Sequence, residues 1–155
     1  MGLFGTHKVS EGMVGQVSKL IENFFSKVRI NPHQQAIPSA KGYGWWVQRG
    51  SAIVYIFIQE SDQGPMLRVV SPIVYLPKEN LLPFYRKLLD ANNGLVNCAL
   101  ATDKDIVLCA VTRPTQALDQ EELDSIVSML AHAADELDNS LNKEFGCRIY
   151  SEQPR

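Results

Sequence analysis

The sequence is poor in the residues and runs that mark most secreted, membrane and metal-binding proteins. It has three cysteines in 155 residues, Cys98, Cys109 and Cys147, without the paired spacing of a zinc site. An odd and small number of cysteines cannot build a disulfide framework and fits a reducing compartment. No stretch approaches the roughly 18 apolar residues of a membrane span, and no N-terminal segment has the order of a signal peptide. We therefore expect a cytoplasmic protein without a membrane partner.

The chain also lacks an excess of either charge. Its 15 Lys and Arg residues and 17 Asp and Glu residues are mixed along the sequence and give a formal net charge of −2. Proteins that bind nucleic acid ordinarily carry a basic stripe, because neutralising phosphates releases counterions. The sequence has no such stripe, so we expect no nucleic-acid partner.

Motifs for catalysis, metal binding and cofactor binding are missing as well. The three histidines, His7, His33 and His132, have no i,i+4 pairing and no cysteine at ligand spacing, which predicts no metal site. The glycine spacing matches neither a P-loop nor a dinucleotide fingerprint, which predicts no cofactor. Cys98 and Cys109 lie in apolar runs and are better interpreted as small core residues than as nucleophiles. The acidic residues of the last helix fit a solvated face.

What the sequence does contain is apolar periodicity. Apolar residues at three- and four-residue intervals predict helices, and runs rich in β-branched and aromatic residues predict strands. The helices are predicted over residues 10–28, 80–93 and 119–146. The strands are predicted over residues 43–49, 52–60, 66–76, 95–102 and 105–113. This order indicates a single α+β domain over residues 1–155, with its core at about 10–146 and a five-stranded, mainly antiparallel sheet.

Three local predictions accompany this layout. Pro72 cannot donate to a ladder, so the third strand needs an edge position or a bulge there. Asn80 is a candidate N-cap for the second helix, and Asp119 with Glu122 forms an approximate capping box for the third. The predicted buried stripe of the second helix consists of Leu81, Leu82, Tyr85, Leu88 and Leu89.

The strands are apolar on both faces. In the second strand one face carries Ala52, Val54, Ile56 and Ile58, and the other carries Ile53, Tyr55 and Phe57. A sheet with helices on one face and water on the other ordinarily alternates apolar with polar residues. Either the three helices straddle the sheet, or they share one face and the other face is available to another chain. The pattern leaves both arrangements open.

Aromatic residues cluster in the run Gly42-Tyr43-Gly44-Trp45-Trp46. These rings could stack on a ligand or anchor a peptide. Aromatic residues are also ordinary components of an edge strand, and this is the favoured interpretation of the run.

Short motifs at turns and helix ends support a family resemblance. They are Gly50-Ser51-Ala52 before Val54-Tyr55-Ile56, Ser71-Pro72-Ile73 with Leu76-Pro77, Asn80-Leu81-Leu82-Pro83 with Tyr85-Arg86, Asn92, Arg113, Ala134-Asp135 and Phe145-Gly146. Together they resemble the YbjN-like domain family, over roughly residues 10–145. That family resembles the type III secretion chaperones in fold, which implies the order α-β-β-β-α-β-β-α. The motifs are structural and not catalytic.

The resemblance implies a non-enzymatic, chaperone-like protein that binds peptide or protein segments as a homodimer. The predicted binding residues are Trp45, Trp46, Tyr55 and Phe57. Recognition would occur by burial of alternate side chains against the sheet or by strand addition. Two alternatives stay open. One is a regulatory or assembly subunit dedicated to one partner protein. The other is a small enzyme of unknown chemistry, with Cys98, Cys109 or the carboxylates of the last helix as its candidates.

Overall fold

The computed structural model describes residues 3–40 and 43–152, and its elements follow the predicted order. The elements are α1 (Leu3–Lys27), two short 3-10 helices (Pro32–Gln35 and Pro38–Ala40), β1 (Gly44–Arg49), β2 (Ala52–Gln59), β3 (Met66–Tyr75), α2 (Leu81–Asn92), β4 (Ala99–Asp103), β5 (Ile106–Pro114) and α3 (Gln120–Phe145). This arrangement confirms the predicted α+β class and the order α-β-β-β-α-β-β-α. No helix within the described ranges is long and apolar enough to cross a membrane.

The five strands form one antiparallel sheet in the spatial order β1-β2-β3-β5-β4. Tight turns join β1 to β2 and β4 to β5, as expected for hairpins. The connection through α2 carries the chain from β3 to the far edge, so β5 returns to lie beside β3. Strand β3 is therefore central, and β1 and β4 are the edges.

Strand pairing is irregular around Pro72. Pairing between β2 and β3 stops at the pair Tyr55 and Val70, and the pairing of β3 with β5 slips by one residue between Pro72 and Val74. Proline has no N–H group to donate, which explains why the ladder breaks here. The predicted bulge is confirmed, whereas the edge position is wrong because β3 is central. The last residues of β3 consequently have no partner in β2.

The three described α-helices share one face of the sheet. The hydrophobic core joins residues of all three helices to strand residues that project from one face. From β2 it takes Ala52, Val54, Ile56 and Ile58, whereas Tyr55 and Phe57 lie outside it and are half-buried. The straddled arrangement is therefore excluded. We call the side of the sheet opposite the helices the open face.

Helix α3 has the ends that the sequence predicts. The Asp119 carboxylate accepts a hydrogen bond from the backbone N–H of Glu122 at 2.8 Å, and Gly146 ends the helix with φ at 66°. Its buried stripe packs across the sheet and against α1. The stripe contains Leu123, Ile126, Val127, Leu130, Ala131, Ala134, Asp138 and Leu141.

The predicted buried stripe of α2 is wrong. The buried residues of this helix are Phe84 and Leu88, while Leu82 is 82% exposed and Leu89 is 67% exposed. The Phe84 ring meets the Phe145 ring edge-to-face, with centroids 5.1 Å apart, and this contact sets the rotation of the helix. Helix α2 has two apolar faces, and periodicity alone cannot say which of them is buried.

Asn80 occupies the N-cap position that the sequence predicts, but it does not cap the helix with its side chain. Asn80 has left-handed backbone angles, with φ at 58°, and its side chain makes no capping hydrogen bond. Its backbone carbonyl instead accepts the first helical hydrogen bond, from Phe84 N at 3.0 Å. Asparagine tolerates the left-handed region better than most residues, so Asn80 serves the turn rather than the helix amides.

The turn between β1 and β2 is fastened to α3. The backbone N–H and the hydroxyl of Ser51 both lie 2.7 Å from Asp135 Oδ1, and Ser51 Oγ also lies 2.7 Å from Asp138 Oδ2. Gly50 has φ at +57°, and a Cβ there would lie 2.3 Å from Asp135 Oδ1. Only glycine fits this approach without strain.

One proton cannot satisfy both carboxylates around the Ser51 hydroxyl. Burial raises the pKa of Asp138, whereas the hydrogen bonds from Ser51 lower the pKa of Asp135. Asp138 therefore takes up a proton at higher pH than Asp135 and can then donate to Ser51 Oγ. When Asp138 is protonated, the Ser51 hydroxyl can donate to Asp135 and accept from Asp138 at the same time.

The proton requirement of Asp138 predicts an unusual pH dependence of stability. Because its pKa is raised in the folded state, its contribution to stability grows as pH falls through that pKa and is lost as pH rises. In Asp138→Asn the amide donates to Ser51 without a proton, so we expect no loss of stability at neutral pH and a weaker pH dependence. Urea unfolding at several pH values measures both quantities.

Ser51→Ala provides the comparison for that experiment. It removes the donor to both carboxylates, and we expect it to lower the free energy of unfolding by about 1 to 2 kcal/mol. Ser140→Ala, at an exposed serine of α3, is the control and should change the free energy of unfolding by less than about 0.5 kcal/mol. Equal destabilisation by Asp138→Asn and Ser51→Ala at neutral pH would contradict the shared-proton arrangement.

Candidate functional site

The open face carries a continuous apolar band across the sheet. Trp46 pairs with Tyr55, Tyr55 with Val70, and Val70 with Ala110. Paired residues of antiparallel strands project from the same face, so these four side chains form one row. All four are half-buried, although no described helix covers them. The apolar residues of the open face include Trp46, Ile53, Tyr55, Phe57, Met66, Val70, Pro72, Ile106, Leu108 and Ala110.

A stacked aromatic pair is the most distinctive feature of this face. The rings of Tyr55 and Phe57 are nearly parallel, at 3°, with centroids 6.2 Å apart. Phe57 pairs with Gly44 on one side and with Arg68 on the other. A Cβ at Gly44 would lie 2.9 Å from the Phe57 ring and 2.5 Å from Ala40 Cβ, so glycine makes room for both. The result is a flat apolar surface beside a guanidinium group.

Three of the four residues predicted to bind a peptide lie together on the open face. Trp46 and Tyr55 are directly paired, and Phe57 stacks on Tyr55. Trp45 projects to the opposite face, where it belongs to the hydrophobic core and is 7% exposed. Successive residues of a strand point to opposite faces, so adjacent tryptophans cannot share one surface. Trp45 is not available to a partner in this structure.

The chain's own C-terminal segment, residues 148–152, contacts one end of the open face. The backbone N–H of Tyr75 donates to the Arg148 carbonyl at 2.9 Å, and the backbone N–H of Tyr150 donates to the Ile73 carbonyl at 2.9 Å. The rings of Tyr75 and Tyr150 stack with centroids 5.7 Å apart. The Tyr75 hydroxyl donates to Glu152 Oε1 at 2.7 Å. The sequence did not predict this contact, because a segment of five residues is too short to show the hydrophobic periodicity of a strand.

The tyrosines at this end of the open face hold their protons strongly. Burial, followed by the charge and hydrogen bonding of Tyr150, raises the pKa of Tyr55 to about 12. The hydrogen bond to Glu152 raises the pKa of Tyr75, and burial raises the pKa of Tyr150. Phenols with raised pKa values stay neutral at physiological pH. The cluster therefore offers rings and hydroxyl groups for contact, and not acids or bases for catalysis.

The residues that the sequence suggests as catalytic candidates do not come together in a catalytic site. Cys109 is fully buried, and its pKa is raised by the hydrogen bond with Cys98 and then by burial. That hydrogen bond lowers the pKa of Cys98, which is half-buried. Within residues 3–40 and 43–152, no group of three or more histidine, cysteine, aspartate and glutamate side chains could hold a metal ion. The helix carboxylates Asp135 and Asp138 are engaged by Ser51.

Comparison with known families decides the identity of the fold. A family model described as "T3SS (YopN, CesT) and YbjN peptide-binding chaperone 1" matches residues 41–153. The chain belongs to this family. The match covers all five strands of the sheet, all of α2 and α3, and residues 148–152. The resemblance inferred from the turn and helix-end motifs is confirmed. At the family level the chain is a peptide-binding chaperone, which is not an enzyme class.

Solved structures support the same fold. The ExsC–ExsE complex is similar over 81% of this chain and 93% of that chain, with a TM-score of 0.58 and 12% identity. The HopA1–SchA chaperone–effector complex is similar over 78% of this chain and 91% of that chain, with a TM-score of 0.54 and 10% identity. At these identities the likeness concerns the fold alone. No curated protein sequence matches this chain.

The contact between Tyr55 and Tyr150 can be tested by titration. Tyr150→Phe removes the hydroxyl that interacts with Tyr55, so we expect the pKa of Tyr55 to fall from about 12. It should stay above its ordinary value, because burial is the largest cause of the shift and is unchanged. Phenolate absorbance against pH measures the shift, with circular dichroism at each pH to confirm folding. Tyr55→Phe should remove the rise in phenolate absorbance near this pKa, which assigns that rise to Tyr55. An unchanged rise in Tyr150→Phe would show that the two tyrosines do not meet in solution.

Proposed function

We propose that this protein is a chaperone that binds an extended peptide or protein segment on its open face, and that it acts as a homodimer. The row of half-buried aromatic and aliphatic side chains on the uncovered side of the sheet carries the proposal. A row of apolar side chains that the fold leaves uncovered is a common mark of an interaction site. The membership of the chain in a peptide-binding chaperone family supports the same conclusion.

Burial of alternate side chains against the face is the binding mode that the geometry favours. The parallel rings of Tyr55 and Phe57 form a flat platform, and Trp46 extends it towards the sheet edge. Strand addition at β1 is less favoured, because Ala36 already bridges to Trp45 and Ile37 N donates to the Gly44 carbonyl at that edge. A client whose apolar residues alternate along an extended segment would place them on the platform.

Arg68 adds a polar feature to the platform. It pairs with Phe57 across the strands, and its guanidinium donates to Thr112 Oγ1 at 2.9 Å. A guanidinium has further donors that suit a carboxylate. A client with an acidic residue beside its apolar residues therefore fits this end of the open face.

The peptide-binding proposal is tested with Tyr55→Ser and Phe57→Ser. Each removes a ring of the platform, so we expect the affinity for peptides of alternating apolar and polar sequence to fall by about tenfold or more, or ~1.4 kcal/mol. A panel of labelled synthetic peptides in solution, read by fluorescence anisotropy, measures the change. Suppression of aggregation of a permanently unfolded model protein gives a second reading.

The control for these variants is Val96→Ser. Val96 is an apolar residue with 58% exposure that lies outside the open face, and its replacement should leave the affinities unchanged. Equal affinities for the wild type, Tyr55→Ser and Phe57→Ser would rule out the platform as the binding site. Failure of every peptide to bind, together with one protein that co-purifies at fixed stoichiometry, would favour a dedicated subunit instead.

The homodimer part of the proposal comes from α2. Leu82, Tyr85 and Leu89 are exposed and lie along one side of the helix, because they are three and four residues apart. If a second copy packs antiparallel about a two-fold axis near Tyr85, Leu82 of one copy meets Leu89 of the other. Arg86 and Asp90 form an ion pair at 3.0 Å within the same helix, so neither charge needs a partner from the second copy. The apolar row of α2 is thus self-complementary about this axis.

The homodimer is tested with Leu89→Lys. A charge in the centre of an apolar contact is costly to bury, so we expect the molar mass in solution to fall from that of two chains to that of one. Light scattering over a range of protein concentrations measures the mass. Met129→Lys is the matched control, since Met129 is also apolar and exposed, at 37%, but lies on α3. A monomeric wild type, or a Leu89→Lys variant that stays dimeric, would disprove this interface.

A further inference from the structure

The C-terminal segment occupies the position of an added strand. Strand β5 lies on one side of the end of β3, where Tyr75 pairs with Ile106. Strand β2 would lie on the other side, but its pairing with β3 stops at Val70. The isolated bridge between Val74 and Ile149 fills this place, and it is antiparallel. The segment therefore completes a ladder that the bulge leaves unfinished.

The side chains of the segment alternate as they would in a strand. Ile149 packs against the hydrophobic core. Arg148 and Tyr150 lie on the other side of the segment and flank the Tyr75 ring, with the guanidinium carbon 4.0 Å from the ring centroid. Glu152, two residues further on, accepts the hydrogen bond from the Tyr75 hydroxyl. Arg148, Tyr150 and Glu152 thus all contact Tyr75, while Ile149 contacts the core.

The segment also reaches the aromatic platform. Tyr150 interacts with Tyr55, which is the first ring of the stacked pair with Phe57. A peptide that continued along the β3 edge towards the platform would need the space that Tyr150 holds. The segment and an incoming strand are therefore mutually exclusive at this end of the open face.

We propose that residues 148–152 are a built-in occupant of the client-binding surface and that a client strand displaces them. Because the segment shows which groups fit, the client carries an apolar residue where Ile149 packs, an aromatic residue where Tyr150 stacks, and an acidic residue two positions after the aromatic. This inference rests on the proposed function and specifies its client. A tethered segment competes at an effective concentration on the order of millimolar, so it filters out strands that bind weakly.

The experiment uses a labelled synthetic peptide as the probe. Its sequence copies residues 146–152 with serine in place of Cys147, which avoids oxidation. Three proteins are compared by fluorescence anisotropy: the full chain, a chain that ends at residue 147, and the full chain with Tyr150→Ser. We expect the shortened chain to bind the probe at least about tenfold more tightly than the full chain, because the competing segment is gone. Tyr150→Ser should give an intermediate affinity, and it keeps the test valid if the shortened chain does not fold.

Two controls sharpen the test. A probe with serine at the positions of Tyr150 and Glu152 should bind at least about tenfold more weakly to each protein. Tyr43→Ser, at an exposed tyrosine outside the segment, should leave the affinity of the full chain unchanged. Amide hydrogen exchange of the full chain supplies a separate reading, since a displaced segment loses protection at the Tyr150 amide when a client peptide is added.

The possible outcomes separate this proposal from the proposed function. Equal affinity of the folded shortened chain and the full chain for the probe would overturn the inference. So would peptides that need Tyr55 and Phe57 for binding yet leave the Tyr150 amide protected, and in that case the platform remains the client site. If neither the probe nor any panel peptide binds, both proposals fail.

Discussion

The rest of this structure depends on one constraint: both faces of the sheet carry apolar residues, but the helices cover only one face. The residues of β2 that face the helices are fully or nearly fully buried, whereas Tyr55 and Phe57 between them are only half-buried. Each large apolar side chain that leaves water contributes about 1.5–3 kcal/mol, so a partner that covered the open face would be strongly favoured. The helices cannot supply that cover, because α1 packs on α3 and α3 packs on the helical face. The proposed binding at the open face needs only this apolar surface and no catalytic group.

Polar contacts at the ends of the elements hold this uneven arrangement in place. Ser51 ties the first hairpin to two carboxylates of α3, and Asn92 ties α2 to β4 through both the N–H and the carbonyl of Leu100. Arg113, at the end of β5, pairs with Glu122 in the first turn of α3. Each contact joins a helix to a strand or its turn. These contacts fix the helices on their face, so that a client meets a preformed surface.

Much of the fold could be predicted from the sequence, because its helices and strands carry strong local signals. The stripe of α3 and its caps at Asp119 and Gly146 are examples, since each depends on neighbouring residues. The buried face of α2 could not be predicted, because it is chosen by the ring of Phe145, more than fifty residues away. Simple alternation could have separated Trp45 from Trp46, because neighbouring residues of a strand point to opposite faces, and so placed Trp46 with Tyr55 and Phe57 on one face. The C-terminal segment could not be predicted, because its position depends on where β2 leaves β3.

The register shift at Pro72 has a further consequence for how this sheet meets other chains. An ordinary sheet edge is open along its whole length and can pair with any exposed strand, including another copy of itself. The edge at the end of β3 is internal, because β5 closes one side and β2 ends just before it on the other. Residues 148–152 fill this notch in the structure. The notch has room for a single strand a few residues long and is too short for edge-to-edge aggregation, so a client that displaced the segment would be selected by length.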